Sequence, residues 1–271
     1  MFLRKNVFIW ILFFLPLFTY AAKVETVTTY STVMSKEIKA SVVTPDSYSN
    51  GQALPVVYLL HGYGGNYLDW VKNVKEIEAL SDQYRIMVVC PDGNVGSWYF
   101  DSPVDKNYQY ETYIIQELIP WIDGHYTTIA TPRGRGITGL SMGGHGALYL
   151  AFRHQDVFGA AGSMSGGVDF RPFPNNWEIA KRLGDYAEYP KNWEQNTVIN
   201  LLHLLKPNSL SLIIDCGSED FFYQVNCQLH EQLLYRNIPH DFISRPGAHN
   251  WDYWRNAVRY QLSFMYYCTL P

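Results

Sequence analysis

Three observations predict an α/β fold for this chain: one domain with a doubly wound, mostly parallel sheet and helices on both faces. Short apolar runs alternate with helical patterns along most of its length. Several runs are apolar throughout, as strands covered on both faces must be. The sharpest turn signal, Gly139-Leu140-Ser141-Met142-Gly143-Gly144, lies between one such run and a helix.

Thr26-Val27-Thr28-Thr29-Tyr30 is wholly β-branched or aromatic, and Ile38-Lys39-Ala40-Ser41-Val42 alternates apolar with polar positions. The two read as an antiparallel edge pair with one wet face. Leu54-Pro55-Val56-Val57-Tyr58-Leu59-Leu60 is the expected central strand, and it opens into His61-Gly62-Tyr63-Gly64-Gly65-Asn66. One helix is expected over about 67–82, then a buried strand Arg85-Ile86-Met87-Val88-Val89-Cys90. The loop 95–106 carries Trp98, Tyr99, Phe100 and Asp101. Ile114, Leu118 and Ile122 recur at four-residue spacing and predict a helix over about 110–124. Arg135-Gly136-Ile137-Thr138 reads as a strand, Ala147 to Phe152 as the helix after the Ser141 turn, and Phe158 to Met164 as the next strand. Residues 166–209, rich in Pro, Asn, Trp and Tyr, break the rhythm and read as an insertion above the sheet and its active site. A strand Leu210 to Gly217, a helix marked by Phe222, Val225, Leu229 and Leu233, a strand Pro239 to Ser244 and a helix over about 252–267 complete the pattern.

The formal net charge is -4 and no Lys/Arg cluster is present, so nucleic acid has no electrostatic footprint here. Aromatic residues make up 16% of the chain, and those in loops offer flat platforms for sugar or aryl rings. Arg4 and Lys5 precede the apolar run Val7 to Leu15, and small residues follow at Ala21 and Ala22. This is the pattern of a secretory signal peptide over 1–21, leaving a folded domain over 22–271 that is secreted or periplasmic, without stable membrane anchoring after cleavage. Cys90 and Cys216 end apolar strands, a setting of buried free thiols, whereas pairing of Cys227 with Cys268 stays open. No Cys-x-x-Cys or His-Glu-x-x-His spacing occurs, and no Lys-Ser/Thr follows the glycines after His61, so neither a metal nor an organic cofactor is expected. The oligomeric state is not written in the sequence.

A strand, a sharp turn with Ser at its apex, Gly two residues either side and a helix are what a nucleophile elbow requires. Its neighbours crowd positions 139 and 143, and the helix N-terminus faces a developing oxyanion. In a parallel sheet the partners of Ser141 must sit in loops at the carboxyl ends of strands. Asp220, in Gly217-Ser218-Glu219-Asp220-Phe221, is the expected acid, with Asp215 and Glu219 as rivals. His249 lies in Arg245-Pro246-Gly247-Ala248-His249-Asn250-Trp251, after the last strand, and is the expected base. His61 reads as a brace for its glycine loop and His145 as pointing away from Ser141. The oxyanion donors are expected to be the N–H groups of Met142 and of Tyr63, with Gly64 as the lesser alternative.

Leu60-His61-Gly62-Tyr63-Gly64-Gly65-Asn66, the Ser141 elbow, Cys216-Gly217-Ser218-Glu219-Asp220 and His249-Asn250-Trp251-Asp252-Tyr253-Trp254 together resemble the esterase D-type family of α/β-hydrolases. That family contains feruloyl and acetyl esterases, tributyrin esterases, S-formylglutathione hydrolases and mycolyltransferases. The resemblance spans about 30–268. It implies an α/β-hydrolase fold, a Ser141–Asp220–His249 triad and a substrate-lining role for Trp98, Tyr99, Asp101 and Ser102; Trp251 is added as a further substrate contact. Tyr63-Gly64-Gly65 stands where the formylglutathione branch usually has Leu-Thr-Cys, which with an export signal argues against that branch. The expected function is hydrolysis of acyl esters, small-molecule or polysaccharide-linked, with acetyl or feruloyl esters of plant cell walls foremost. A short-chain esterase, an acyltransferase or siderophore esterase on the same machinery, and a non-catalytic carbohydrate-binding protein are the alternatives.

Overall fold

A computed structural model describes residues 22–269; the expected signal peptide lies outside the described residues. β1 (Lys23–Ser31) and β2 (Lys36–Thr44) form an antiparallel hairpin, and β2 runs antiparallel to β4 (Met87–Pro91). β3 (Val56–Leu60), β5 (Arg135–Gly139), β6 (Ala160–Met164), β7 (Ser211–Gly217) and β8 (Asp241–Arg245) continue in parallel. The eight strands lie in the order β1-β2-β4-β3-β5-β6-β7-β8.

The unbroken apolar runs are unbroken because both faces of the sheet are covered. Val56, Tyr58 and Leu60 enter one core, while Val57 and Leu59, pointing the other way, enter a second. All five are fully buried, and each aliphatic side chain contributes about 1.5–3 kcal/mol relative to exposure. The first core is closed by α5 (Met142–Arg153), α8 (Tyr223–Tyr235) and the helix beginning at Tyr110. The second is closed by α1 (Asp69–Asn73), α2 (Ile77–Tyr84) and α9 (Trp251–Thr269).

Three expectations change. The helix over 67–82 is two helices, α1 and α2. Asn73 donates its side-chain amide to the Asp69 carbonyl, and Val74 turns out of helical geometry into the core. The helix over 110–124 begins as α3 (Tyr110–Thr112), passes through a π-helical turn (Tyr113–Leu118) and continues as α4 (Ile119–His125). Pro120 has no N–H to give and would crowd the preceding turn, which the wider turn relieves. The β1–β2 pair lies at the sheet edge as expected, but its wet face stops short on β2: Glu37 and Lys39 are exposed, whereas Ala40 to Thr44 are buried on both faces between β1 and β4.

Residues 166–209 hold α6 (Ile179–Leu183), α7 (Pro190–Asn196) and a 3-10 stretch (Val198–Leu204). Val168, Phe170, Ile179, Trp193 and Val198 are fully buried in the first core, so the insertion is part of the fold's interior. Arg182 bolts it down. Its guanidinium donates to the Gly96 carbonyl at 3.3 Å, Asp105 at 3.0 Å and Glu178 at 3.2 Å, and lies 3.4 Å from the Tyr108 ring centroid.

Gly143 tests how tightly this frame is built. A Cβ there would lie 2.5 Å from the Leu60 carbonyl oxygen and 2.6 Å from that of His61, both backbone atoms that cannot swing aside. Gly143→Ala is expected to cost about 3 kcal/mol or more, read as a lower thermal unfolding midpoint. Gly124→Ala, where a Cβ meets open space, should leave the midpoint unchanged or raise it. Equal midpoints for the two variants would contradict the packing described.

Candidate active site

Register brings the loops together. Leu60 pairs with Gly139, Met164 with Asp215 and Gly217 with Arg245. The carboxyl ends of β3, β5, β6, β7 and β8 therefore form one row, and the segments leaving them share one space.

Ser141 sits between β5 and α5 with φ 55 and ψ -117, a conformation that side chains rarely adopt. It is fixed from three sides: Ser141 N–H donates to Met164 O at 2.9 Å, while its own carbonyl accepts from His145 N–H at 3.0 Å and Gly167 N–H at 3.3 Å. Gly139 answers the same constraint, since a Cβ there would be 2.6 Å from the Gly143 backbone.

His249 Nε2 accepts from Ser141 Oγ at 2.9 Å, and its Nδ1–H donates to Asp220 Oδ2 at 2.8 Å and Oδ1 at 3.0 Å. Asp220 Oδ1 also accepts the Phe222 N–H at 2.8 Å, which holds the carboxylate facing the ring. The rivals are elsewhere: Glu219 is exposed, and Asp215 is buried in pairs with Arg245 and Tyr253.

Met142 begins α5, where N–H groups point out of the helix end and carry partial positive charge. Neither its N–H nor that of Tyr63 has an acceptor among the described residues. Gly64 N–H is spent on Val95 O at 2.8 Å and Gly65 N–H on Gly62 O at 3.1 Å, whereas the Tyr63 N–H makes no such bond. His61 braces the loop, donating from Nδ1 to Gly62 O and accepting Gly93 N–H at Nε2, each at 2.7 Å.

The segment 98–102 does not line the site; it supports it. Trp98 and Tyr99 are buried, with consecutive φ values of 55 and 61. Trp98 donates to Trp177 O and Tyr99 to His61 O. The Asp101 carboxylate accepts the Thr112 N–H at 2.9 Å and its hydroxyl at 2.5 Å, and Ser102 donates to Arg182 O at 2.6 Å. Trp251 packs edge-on against Trp70 and Trp254, at 5.2 and 5.5 Å between centroids, and steadies the start of α9.

Other aromatics surround His249 instead. Phe221 lies 4.2 Å from the imidazole, Trp254 4.8 Å and Phe222 5.6 Å, centroid to centroid. Trp177 stacks on Phe221 at 5.6 Å and 17°. Phe221 is 50% exposed and presents ring surface to solvent beside His249; Tyr63, whose ring lies over Gly96, is 39% exposed. The Phe221-Phe222 doublet directly after Asp220 was the available signal for this shelf.

Mostly parallel sheet, strained serine turn and hydrogen-bonded Ser–His–Asp line together define the α/β-hydrolase fold. The chain belongs to the esterase family described as "Putative esterase", which it matches over residues 31–265, and it is a serine carboxylic-ester hydrolase. It is 26% identical over 228 residues to an acetyl esterase of Caldicellulosiruptor saccharolyticus, covering 80% of this chain and 85% of that one. It is 36% identical over 236 residues to an esterase of Mycobacterium tuberculosis, covering 77% of this chain but only 52% of that relative. A solved ferulic acid esterase superposes with a TM-score of 0.79 at 26% identity, covering 92% of this chain and 99% of its own.

His145, one turn behind Ser141, is fully buried, with Nδ1 3.0 Å from Trp98 O and Nε2 2.8 Å from Asn196 O. It points away from Ser141, into the insertion. Burial pushes its pKa down to about 4, only partly opposed by the two carbonyls. The unfolded chain takes up a proton near pH 6.5 and the folded chain does not, so stability is full above that pH and falls as the pH drops towards about 4. The loss should reach about 3 kcal/mol, and His145→Gln should remove that part of the pH dependence in denaturant titrations. An unchanged slope in the variant would refute this assignment.

Proposed function

We propose that Ser141 is the nucleophile, His249 the general base and acid, and Asp220 the group that fixes the imidazole tautomer. The observation that carries this reading is His249 bridging Ser141 and Asp220 at 2.9 and 2.8 Å. Ser141 Oγ attacks the ester carbonyl as His249 Nε2 takes its proton. The oxyanion accepts the N–H groups of Met142 and Tyr63, each such donor contributing about 3–4 kcal/mol to the transition state. His249 returns the proton to the departing alcohol, leaving an acyl-Ser141 ester. Water, deprotonated by the same nitrogen, attacks this ester, and the acid departs with Ser141 restored.

The proposed substrates are acetyl or feruloyl esters carried by plant polysaccharide. The Phe221–Trp177 shelf supports this, since a flat aryl or sugar ring stacks well on exposed aromatic faces. So does the chain's similarity to two proteins described above, one an acetyl esterase and one a ferulic acid esterase. Export is part of the proposal and rests on the Arg4–Ala22 pattern.

Rates on methyl ferulate, p-nitrophenyl acetate and tributyrin test the reading. Ser141→Ala should lower kcat by about 10⁶-fold, and Asp220→Asn by about 10⁴-fold. Preference for ferulate assigns the shelf to the acyl group; activity confined to tributyrin and p-nitrophenyl acetate would sink the polysaccharide assignment. Wild-type activity in Ser141→Ala would sink the mechanism. For export, the mature protein recovered outside the cytoplasm should begin near residue 22 in N-terminal sequencing; an intact Met1 there would contradict cleavage.

A further inference from the structure

The proposed reaction leaves one buried acid of this region unused. Asp215, near the end of β7, is fully buried, and each carboxylate oxygen has one partner. The Tyr253 hydroxyl donates to Oδ1 and Arg245 Nη2 donates to Oδ2. Arg245 is the last residue of β8, and Tyr253 lies in the first turn of α9. His249 stands four residues from each. One carboxylate thus grips both ends of the segment that carries the histidine.

The same segment is stitched to the acid loop. Ser218 N–H donates to Arg245 O at 2.8 Å, and Glu219 N–H to Gly247 O at 2.9 Å. Gly247 has φ 146, and the Tyr253 ring fills the space a Cβ would need there. The guanidinium of Arg245 lies 5.3 Å from the Tyr253 ring centroid and 4.4 Å from that of Tyr260. Its Nε and Nη1 are buried without a hydrogen-bond partner, so Asp215 is the one acceptor it has among the described residues. Asp215 also reaches the wall behind the imidazole: its carbonyl accepts Ser165 N–H at 2.7 Å, and Ser165 Oγ accepts Trp254 Nε1–H at 3.1 Å.

We propose that Arg245, Asp215 and Tyr253 are positioning residues that hold His249 between Ser141 and Asp220. This rests on the reading of His249 as the base. A buried ion pair is a costly way to add stability, because desolvation cancels much of its attraction. It is an effective way to fix a loop, because removing either partner strands a charge. A general base must hold its place to within a fraction of an ångström, and a displacement of about 1 Å costs about 100-fold in rate.

Tyr253→Phe keeps the ring against Gly247 and removes only the hydroxyl. On p-nitrophenyl acetate it should lower kcat about 10-fold with KM unchanged, and Arg245→Met should lower kcat about 100-fold, with partial recovery in Arg245→Lys. Far-UV circular dichroism and the unfolding midpoint check that each variant is folded at the assay temperature. A kcat within twofold of wild type in Tyr253→Phe, or a loss confined to KM, overturns the proposal even if the midpoint falls. Should Arg245→Met not fold, Tyr253→Phe decides alone. His249→Ala in the same assay separates the two readings. If it is inactive while Tyr253→Phe is not impaired, only the positioning role fails. If His249→Ala keeps wild-type activity, the reading of the site fails and the positioning role with it.

Discussion

A methyl group at Gly143 would lie 2.5 Å from the carbonyl oxygen of Leu60. That approach, the last turn of one strand against the first turn of the helix after its neighbour, sets the geometry of everything nearby. It forces the chain at Ser141 into a strained turn and lifts its hydroxyl clear of the sheet. It also sets the start of α5 beside the loop that leaves β3, where a Cβ on Gly62 would lie 3.3 Å from that of Ser141. The strain is held by the sheet on either side, because Leu60 and Gly139 are register partners and Ser141 N–H is bonded across to Met164.

Around this rigid centre, buried polar groups do the locating. His61, His145, Asp215 and Arg182 are each buried and each ties two or more segments together. Such groups add little net stability, but they penalise every arrangement in which their partners are missing. The apolar cores on either face of the sheet supply the cohesion, and these contacts select which of many compact arrangements is populated.

The parts of the site set by backbone constraint were legible in the sequence. Gly139, Ser141 and Gly143 announce a turn that few other residues fit, and the order Ser141, Asp220, His249 follows the strands that carry them. The strand runs were legible because a strand covered on both faces has no polar phase. What side chains decide among themselves was not. Asn73 capping Asp69 and Pro120 widening its helix are local competitions that periodicity does not register. Trp98 and Tyr99 look like lining because they are aromatic and in a loop; Trp98 is buried against Phe170 and Trp177, more than 70 residues on in the chain, and Tyr99 against Gly93 and Gly146. Phe221 and Phe222 form a doublet directly after Asp220, and no periodicity distinguishes the exposed ring from the buried one.

The anchoring of residues 166–209 has a consequence for how large molecules reach Ser141. Arg182 is buried against three acceptors and a ring, and Phe170 and Trp193 lie in the core, so this segment packs as one body with the sheet beneath it. The half-exposed faces of Tyr63 and Phe221 are therefore standing features, present before any encounter. What changes on an encounter is then the orientation of single side chains at this edge, and the segment beneath them stays as it is packed.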